Sequence, residues 1–94
     1  MDRDLEAVVA KLSEDVVVEN VARRVAELRE LRGLTQAELA VKMRVQLRQA
    51  QRYESGANLT IVTLTRLANA LGVSPGELFT PSKRSKRGRG RPRS

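Results

Sequence analysis

The 94-residue chain has no cysteine, no histidine and no tryptophan, and only one tyrosine and one phenylalanine. Without cysteine there is no disulfide to brace a modest core, and no thiolate to act as nucleophile or metal ligand. That fits a reducing compartment without requiring one. The absence of histidine removes the commonest general base. Carboxylates are present in pairs, but a small helical unit leaves little room for a substrate pocket. No glycine-rich, phosphate-cradling loop occurs either. The expectation is a protein that is not an enzyme and uses no metal or cofactor. No apolar run approaches the roughly 20 residues of a membrane-spanning helix. The opening stretch MDRDLEAVVAKLSED is acidic and broken by charges, so no signal peptide is expected.

Acid is missing from one place in particular. The segment KRSKRGRGRPRS, Lys83 to Ser94, holds seven basic residues and no carboxylate. The remaining residues, 1–82, carry eleven charges of each sign, so the tail accounts for the whole net charge of +7. An excess of this kind points to a polyanionic partner. Any such surface on the rest of the chain must be local. The tail has almost nothing apolar to bury and is expected to be disordered on its own. No internal repeat is visible.

What the chain does have is helical periodicity. In DLEAVVAKL, Leu5, Val8, Val9 and Leu12 fall at i, i+3, i+4 and i+7. Asp2 and Asp4 stand where a helix N-terminus favours anions. This stripe is either intramolecular core or a surface for a protein partner. Ser13, followed by Glu14 and Asp15, reads as the N-cap of a longer helix. That helix would turn Val18, Val21, Val25, Leu28 and Leu31 inward and end at Gly33. Its valines are mediocre helix formers, so packing must hold it. Thr35 and Glu38 form a T-x-x-E capping box, and Leu39, Ala40 and Met43 are the apolar side of the helix it opens. The next helix begins at Gln46 or Leu47 and stops before Gly56. Thr60 caps another, with Leu64, Leu67, Ala68 and Leu71 inward and Gly72 as its stop. The tetrapeptide SPGE at Ser74 opens a last short helix through Phe79. Strand signals are weak throughout. The predicted fold class is all-α, with five or six short helices.

In TQAELAVKMRVQLRQAQRYESG, Thr35 to Gly56, only Arg44 and Val45 separate two predicted helices. So short a turn makes them cross steeply. In a helix-turn-helix the first such helix props the second against the DNA major groove. The second then needs a thin buried side, which Val45, Ala50 and Tyr53 supply. Leu47, Arg48, Gln51 and Arg52 lie largely on the other side. Glutamine pairs bidentately with adenine and arginine with guanine. On an arbitrary helix Arg48 and Arg52 would be read simply as a solvated face; this context favours DNA.

LRGLTQAELAVKM, QRYESG and LTRLANALGVSPGELF together resemble the lambda-repressor-like, Cro/Xre-type helix-turn-helix family over about Val21 to Phe79. The resemblance implies a compact five-helix domain that binds operator DNA, commonly as a dimer. It implies that Gln36 opens the supporting helix and touches a phosphate, with capping alone as the alternative. It places Gln46, Leu47, Arg48 and Arg52 where the family faces phosphates or bases. It matches Arg29 and Glu54 to an ion pair linking the first family helix to the end of the recognition helix. Asn58, in the polar stretch after that helix, is added as a DNA contact. Two positions depart from the family pattern. Arg44 stands where glycine is usual, which asks a non-glycine residue to take a positive φ but also lets a guanidinium reach a phosphate. Ala50 stands where isoleucine or valine is usual, so the recognition helix sits closer or leaves space that Leu47 fills. Leu47 is therefore either a core residue or a thymine-methyl contact.

Arg-Gly-Arg-Pro at Arg89, Gly90, Arg91 and Pro92, with Arg93 after it, resembles an AT-hook. Such a core lies along the narrow minor groove of an A·T tract, where the negative potential is strongest. The alternative is a polybasic tail that contacts phosphates without preference. The expected organisation is an extension helix at 1–13, a helix-turn-helix domain at 14–81 and a basic tail at 82–94. The expected function is a sequence-specific transcriptional regulator, a dimeric repressor acting by occlusion, with an activator as an alternative within the same fold. The reading from a different class is an antitoxin or adaptor whose N-terminal helix binds a protein. The expected location is cytoplasmic and nucleoid-associated, in a bacterium or phage.

Overall fold

The computed structural model describes residues 13–83. The helix expected at residues 1–13, Ser13 apart, and the tail from Arg84 onward, including Arg89 to Arg93, lie outside the described residues. Within them the fold is all-helical: α1 (Glu14–Leu31), α2 (Gln36–Met43), α3 (Leu47–Tyr53), α4 (Ile61–Leu71) and a 3-10 turn (Pro75–Phe79).

The starts and stops follow local chemistry. Ser13 accepts a bond from the Val16 amide at 3.1 Å, which begins α1. The Thr35–Glu38 capping box is complete: the Glu38 amide donates to Thr35 Oγ1 at 3.0 Å, and the Thr35 amide donates to Glu38 Oε1 at 2.8 Å. Thr60 caps α4 through the Thr63 amide at 3.1 Å. Gly72 closes α4 in the left-handed region at φ 72°, where a side chain is strained.

Two expectations are corrected. Four α-helices and a 3-10 turn form among the described residues, where five α-helices in the domain were expected. PGELF spans five residues, and Ser74 makes no side-chain capping bond. Its amides reach back three residues, Glu77 to Ser74 at 3.0 Å and Thr80 to Glu77 at 3.2 Å, so the tighter winding wins in so short a piece. The second correction is Leu31, expected inward and found 73% exposed. Successive i+3 steps walk about 60° backwards around a helix of 3.6 residues per turn. From Val25 through Leu28 to Leu31 that drift carries the side chain off the core face.

The core joins all five elements. Val25, Leu39, Leu67, Leu71 and Leu78 are its fully buried large side chains. Val21 and Leu28 of α1, Met43 of α2 and Tyr53 of α3 complete it, with Val45 and Leu64 packed at its edge. α3 packs on α2, α2 on α4, and the 3-10 turn on both α1 and α4. The chain after the turn is tied back to α1. The Asn20 side-chain amide donates to the Thr80 carbonyl at 3.0 Å, the Ser82 amide donates to Asn20 Oδ1 at 2.8 Å, and the Lys83 amide donates to Glu27 Oε2 at 3.2 Å. Residue 83, where the basic tail starts, is thus fixed against the first helix.

Candidate nucleic-acid interface

α2 and α3 are joined by three residues rather than two, because Gln46 is the N-cap of α3. The helix reversal depends on Arg44, which sits at φ 60° and ψ 43°. It is the only described residue other than glycine with a positive φ. Its amide donates to the Ala40 and Val41 carbonyls, and the Val45 amide donates to the Ala40 carbonyl at 3.0 Å. The end of α2 is therefore closed by a left-handed cap, with the Arg66 guanidinium donating to the Met43 carbonyl as well.

α3 has a narrow buried side. Ala50 is 0% and Tyr53 4% exposed. At 3.6 residues per turn, Arg48 lies almost diametrically opposite these two, with Gln51 and Arg52 flanking it. All three are exposed, as are Gln46 and Gln49. Gln46 makes no side-chain capping bond. Leu47 is 45% exposed and is not the filler beside Ala50. Asn58 is also exposed, in the loop after α3.

The end of α3 is anchored by a buried network. Arg29 Nε donates to Glu54 Oε2 at 2.6 Å and its Nη2 to Oε1 at 3.1 Å, a forked pair. The third Arg29 nitrogen donates to the Leu34 carbonyl at 2.7 Å. Gln36 Nε2 donates to Glu54 Oε1 at 3.1 Å. Three elements thus converge on one carboxylate, and Gln36 uses an amide proton inside the protein. The hydrogen bond that Arg29 donates to Glu54 raises the pKa of Arg29 above its ordinary value, against the opposing effect of burial. A buried carboxylate with a matched guanidinium resists rotation of α3 against α1 and α2.

The charges of this region are arranged unlike those within α1. Among the described residues, Lys42, Arg44, Arg48, Arg52 and Arg66 form no ion pair. The one acid between Lys42 and Arg66 is Glu54, which is buried and paired. Cations without a carboxylate partner are therefore concentrated between Lys42 and Arg66, in a chain whose residues 1–82 carry no net charge. Lys42, Arg66 and Asn69 are not among the residues that the sequence singles out. Lys42 stands four residues after Glu38, a spacing that suggests an ion pair, but Glu38 is committed to its capping box. Arg66 donates to the Met43 carbonyl, 23 residues away, which no local pattern announces. The signal that finds it is the absence of any acid from Ser55 through Gly76.

Among the described residues no group of three or more histidine, cysteine, aspartate or glutamate side chains is placed to hold a metal, and no helix is long and apolar enough to cross a membrane.

A long capped helix, two short ones meeting at a left-handed turn, and a polar α3 locked at its far end define a helix-turn-helix unit. The helix-turn-helix family matches residues 25–78, more than half of the chain, and the chain belongs to that family, of the Cro/Xre type. A protein from Sinorhizobium fredii described as an uncharacterized HTH-type transcriptional regulator, y4dJ, is 41% identical over 63 residues, covering 66% of this chain and 82% of that protein. The restriction-modification controller protein C.AhdI from Aeromonas hydrophila superposes with a TM-score of 0.63 at 33% identity, over 66% of this chain and 96% of that one. The Fe(II) protein HppE superposes with a TM-score of 0.64 at 28% identity, but this chain spans only 35% of it. That likeness concerns one part of a larger protein.

Proposed function

We propose that this chain is a sequence-specific DNA-binding regulator of transcription that reads base edges with the exposed side of α3. The observation that carries this reading is the unpaired set Arg48, Gln51 and Arg52 on a helix clamped by Arg29–Glu54. Guanidinium and amide groups match the acceptor and donor patterns of guanine and adenine in the major groove. Gln46 and Leu47 stand at the start of the same helix, Leu47 as a candidate thymine-methyl contact, and Asn58, exposed in the loop after α3, is proposed as a further contact. Arg44 serves a phosphate. Gln36, whose amide also braces Glu54, has one further proton and its carbonyl for the same purpose.

The proposed form is a homodimer, and the proposed action is repression by occluding a promoter. One short helix reads only a few base pairs, whereas two copies on one face would span half-sites about 34 Å apart. Ile61 at 79% exposure, Val62 at 68% and Phe79 at 51% support an association surface within residues 60–79. The basic tail adds affinity from outside the domain, and Arg89 to Pro92 act as a minor-groove hook beside the main site. The location is then wherever the chromosome lies, the cytoplasm of a bacterium.

Selection from random-sequence DNA with the full chain tests the reading. The expected product is a dyad-symmetric site, with two protomers per duplex by sedimentation. Recovery of no common sequence, or of a lone protomer on a site without a dyad, contradicts it. The hook has its own check. A·T-rich flanks should strengthen binding by the intact chain, and Arg91→Ala should remove most of that gain; no effect of flank composition leaves only phosphate contacts.

A further inference from the structure

Beside the turn lies a cavity of about 360 Å³ lined by Lys42, Met43, Arg44, Arg66, Asn69 and Ala70. Three of the lining residues are cations, none is an acid, and none of the three has an ion-pair partner among the described residues. Like charges brought together without an anion repel, and a cleft lined by one sign concentrates its field. The carboxyl ends of α2 and α4, whose last turns both contribute to the lining, offset this only in part. A helix terminus is worth about half a charge, and three of the last carbonyls of α2 are already occupied. Met43 accepts from Arg66, and Ala40 and Val41 accept from the Arg44 amide. Arg66 is held by that same bond, so its guanidinium is ordered before any ligand arrives. Arg44 sits in a backbone conformation that costs an arginine more than a glycine. A strained residue that carries a charge into a cleft of like charges is better explained by a ligand than by the turn, which glycine would serve more cheaply.

The geometry points to a phosphate-binding pocket formed by Lys42, Arg44 and Arg66, with Asn69 as a neutral donor, distinct from the base-reading side of α3. Two ammonium or guanidinium groups and a fixed third suit the oxygens of a phosphate. The phosphate comes either from the DNA backbone or from a small free phosphate compound. The first source rests on the function proposed above; the second does not.

Pyrophosphate titrated into the full chain at constant ionic strength, followed by amide NMR, gives the first arm. The second is the salt dependence of binding to the selected duplex. The variants are Lys42→Gln and Arg44→Gly. Both keep the fold, since Lys42 is exposed and glycine suits the turn, whereas Arg66 also holds Met43 and is left in place. Saturable shifts at residues 42–44 and 69, weakened about tenfold in either variant, would establish the pocket with a free phosphate as ligand. A salt slope lower by about 0.9 in either variant, without saturable pyrophosphate binding, would establish it with a backbone phosphate. Pyrophosphate binding by a chain that recovers no DNA sequence would keep the pocket and reject the regulator. Unchanged slopes together with linear, non-saturating shifts would overturn the pocket.

Discussion

α1 and the stretch from Lys42 to Arg66 are both rich in arginine, and they use it in opposite ways. In α1, Arg23 faces Glu19 at 3.6 Å, Arg24 bridges Glu27 at 2.9 Å and Glu77 at 2.8 Å, and Arg29 holds Glu54 at 2.6 Å. Every arginine within that helix is neutralised, and two of them fasten other elements to it. From Lys42 to Arg66 the cations have no such partners among the described residues. The difference is one of work: the paired arginines fix the scaffold, and the cations without a carboxylate partner are the ones proposed above to meet an external anion. Net charge alone hides this, because residues 1–82 balance to zero.

Substitutions can break the comparison from either side. The largest effect is expected at its one crossing point, Glu54. Glu54→Ala leaves Arg29 buried without its partner, and removing one member of a buried pair costs about 3–5 kcal/mol. A small domain has little more than that to spare, so chemical denaturation should show a large drop in midpoint, with DNA binding lost alongside. Deleting Arg84 to Ser94, which leaves the Lys83 amide on Glu27, should act on DNA affinity and not on the scaffold. Thermal stability and base preference should persist, while affinity falls and the log–log salt slope flattens by about 0.9 for each phosphate contact removed. Loss of base preference would show that the tail, and not α3, reads the sequence.

Arg44→Gly separates charge from backbone. Glycine relieves the positive φ, although it loses more entropy on folding, for a net gain of about 0.5–1 kcal/mol. Thermal unfolding should therefore rise slightly while DNA affinity falls. A destabilised variant would mean that the Arg44 side chain, and not its backbone, holds the turn.

The smallest effect is one of pH. Burial pushes the Glu27 carboxyl upward, but the bond from Arg24, the Lys83 amide and the Arg24 charge together hold it below its ordinary value. The native state then binds fewer protons than the unfolded chain. The resulting stability is fully present above the ordinary glutamate range, around pH 4.5, and is lost as pH falls through the lower native value. The melting temperature should decline over that window, and Glu27→Gln should decline less steeply.

Much of this was legible in the sequence because it is local. The Thr35–Glu38 box, the Ser13 and Thr60 caps, and the Gly72 stop all act within four residues of themselves. The polar side of α3 could be read because Ala50 and Tyr53 leave only one side to bury. The rest depends on long-range partners. Gln36 reaches Glu54 across 18 residues, Arg66 reaches Met43 across 23, and Ser82 returns to Asn20 across 62. Leu31 was misplaced because an i+3 pattern looks periodic over one turn and drifts over two. SPGE carries start signals for a helix, but the last element is a 3-10 turn because the helical stretch after Ser74 is only five residues, Pro75 to Phe79, before the chain returns to α1.

The central claim is that unpaired side chains of α3 read bases. Arg52→Ala, compared with the wild type on the selected duplex and on random DNA at one salt concentration, tests it most directly. Arg52→Ala should lose about 1–3 kcal/mol on the selected site and relax the preference at one base position per half-site, with little change on random DNA. An equal loss on both duplexes would make Arg52 a phosphate contact and contradict the assignment of base reading to it.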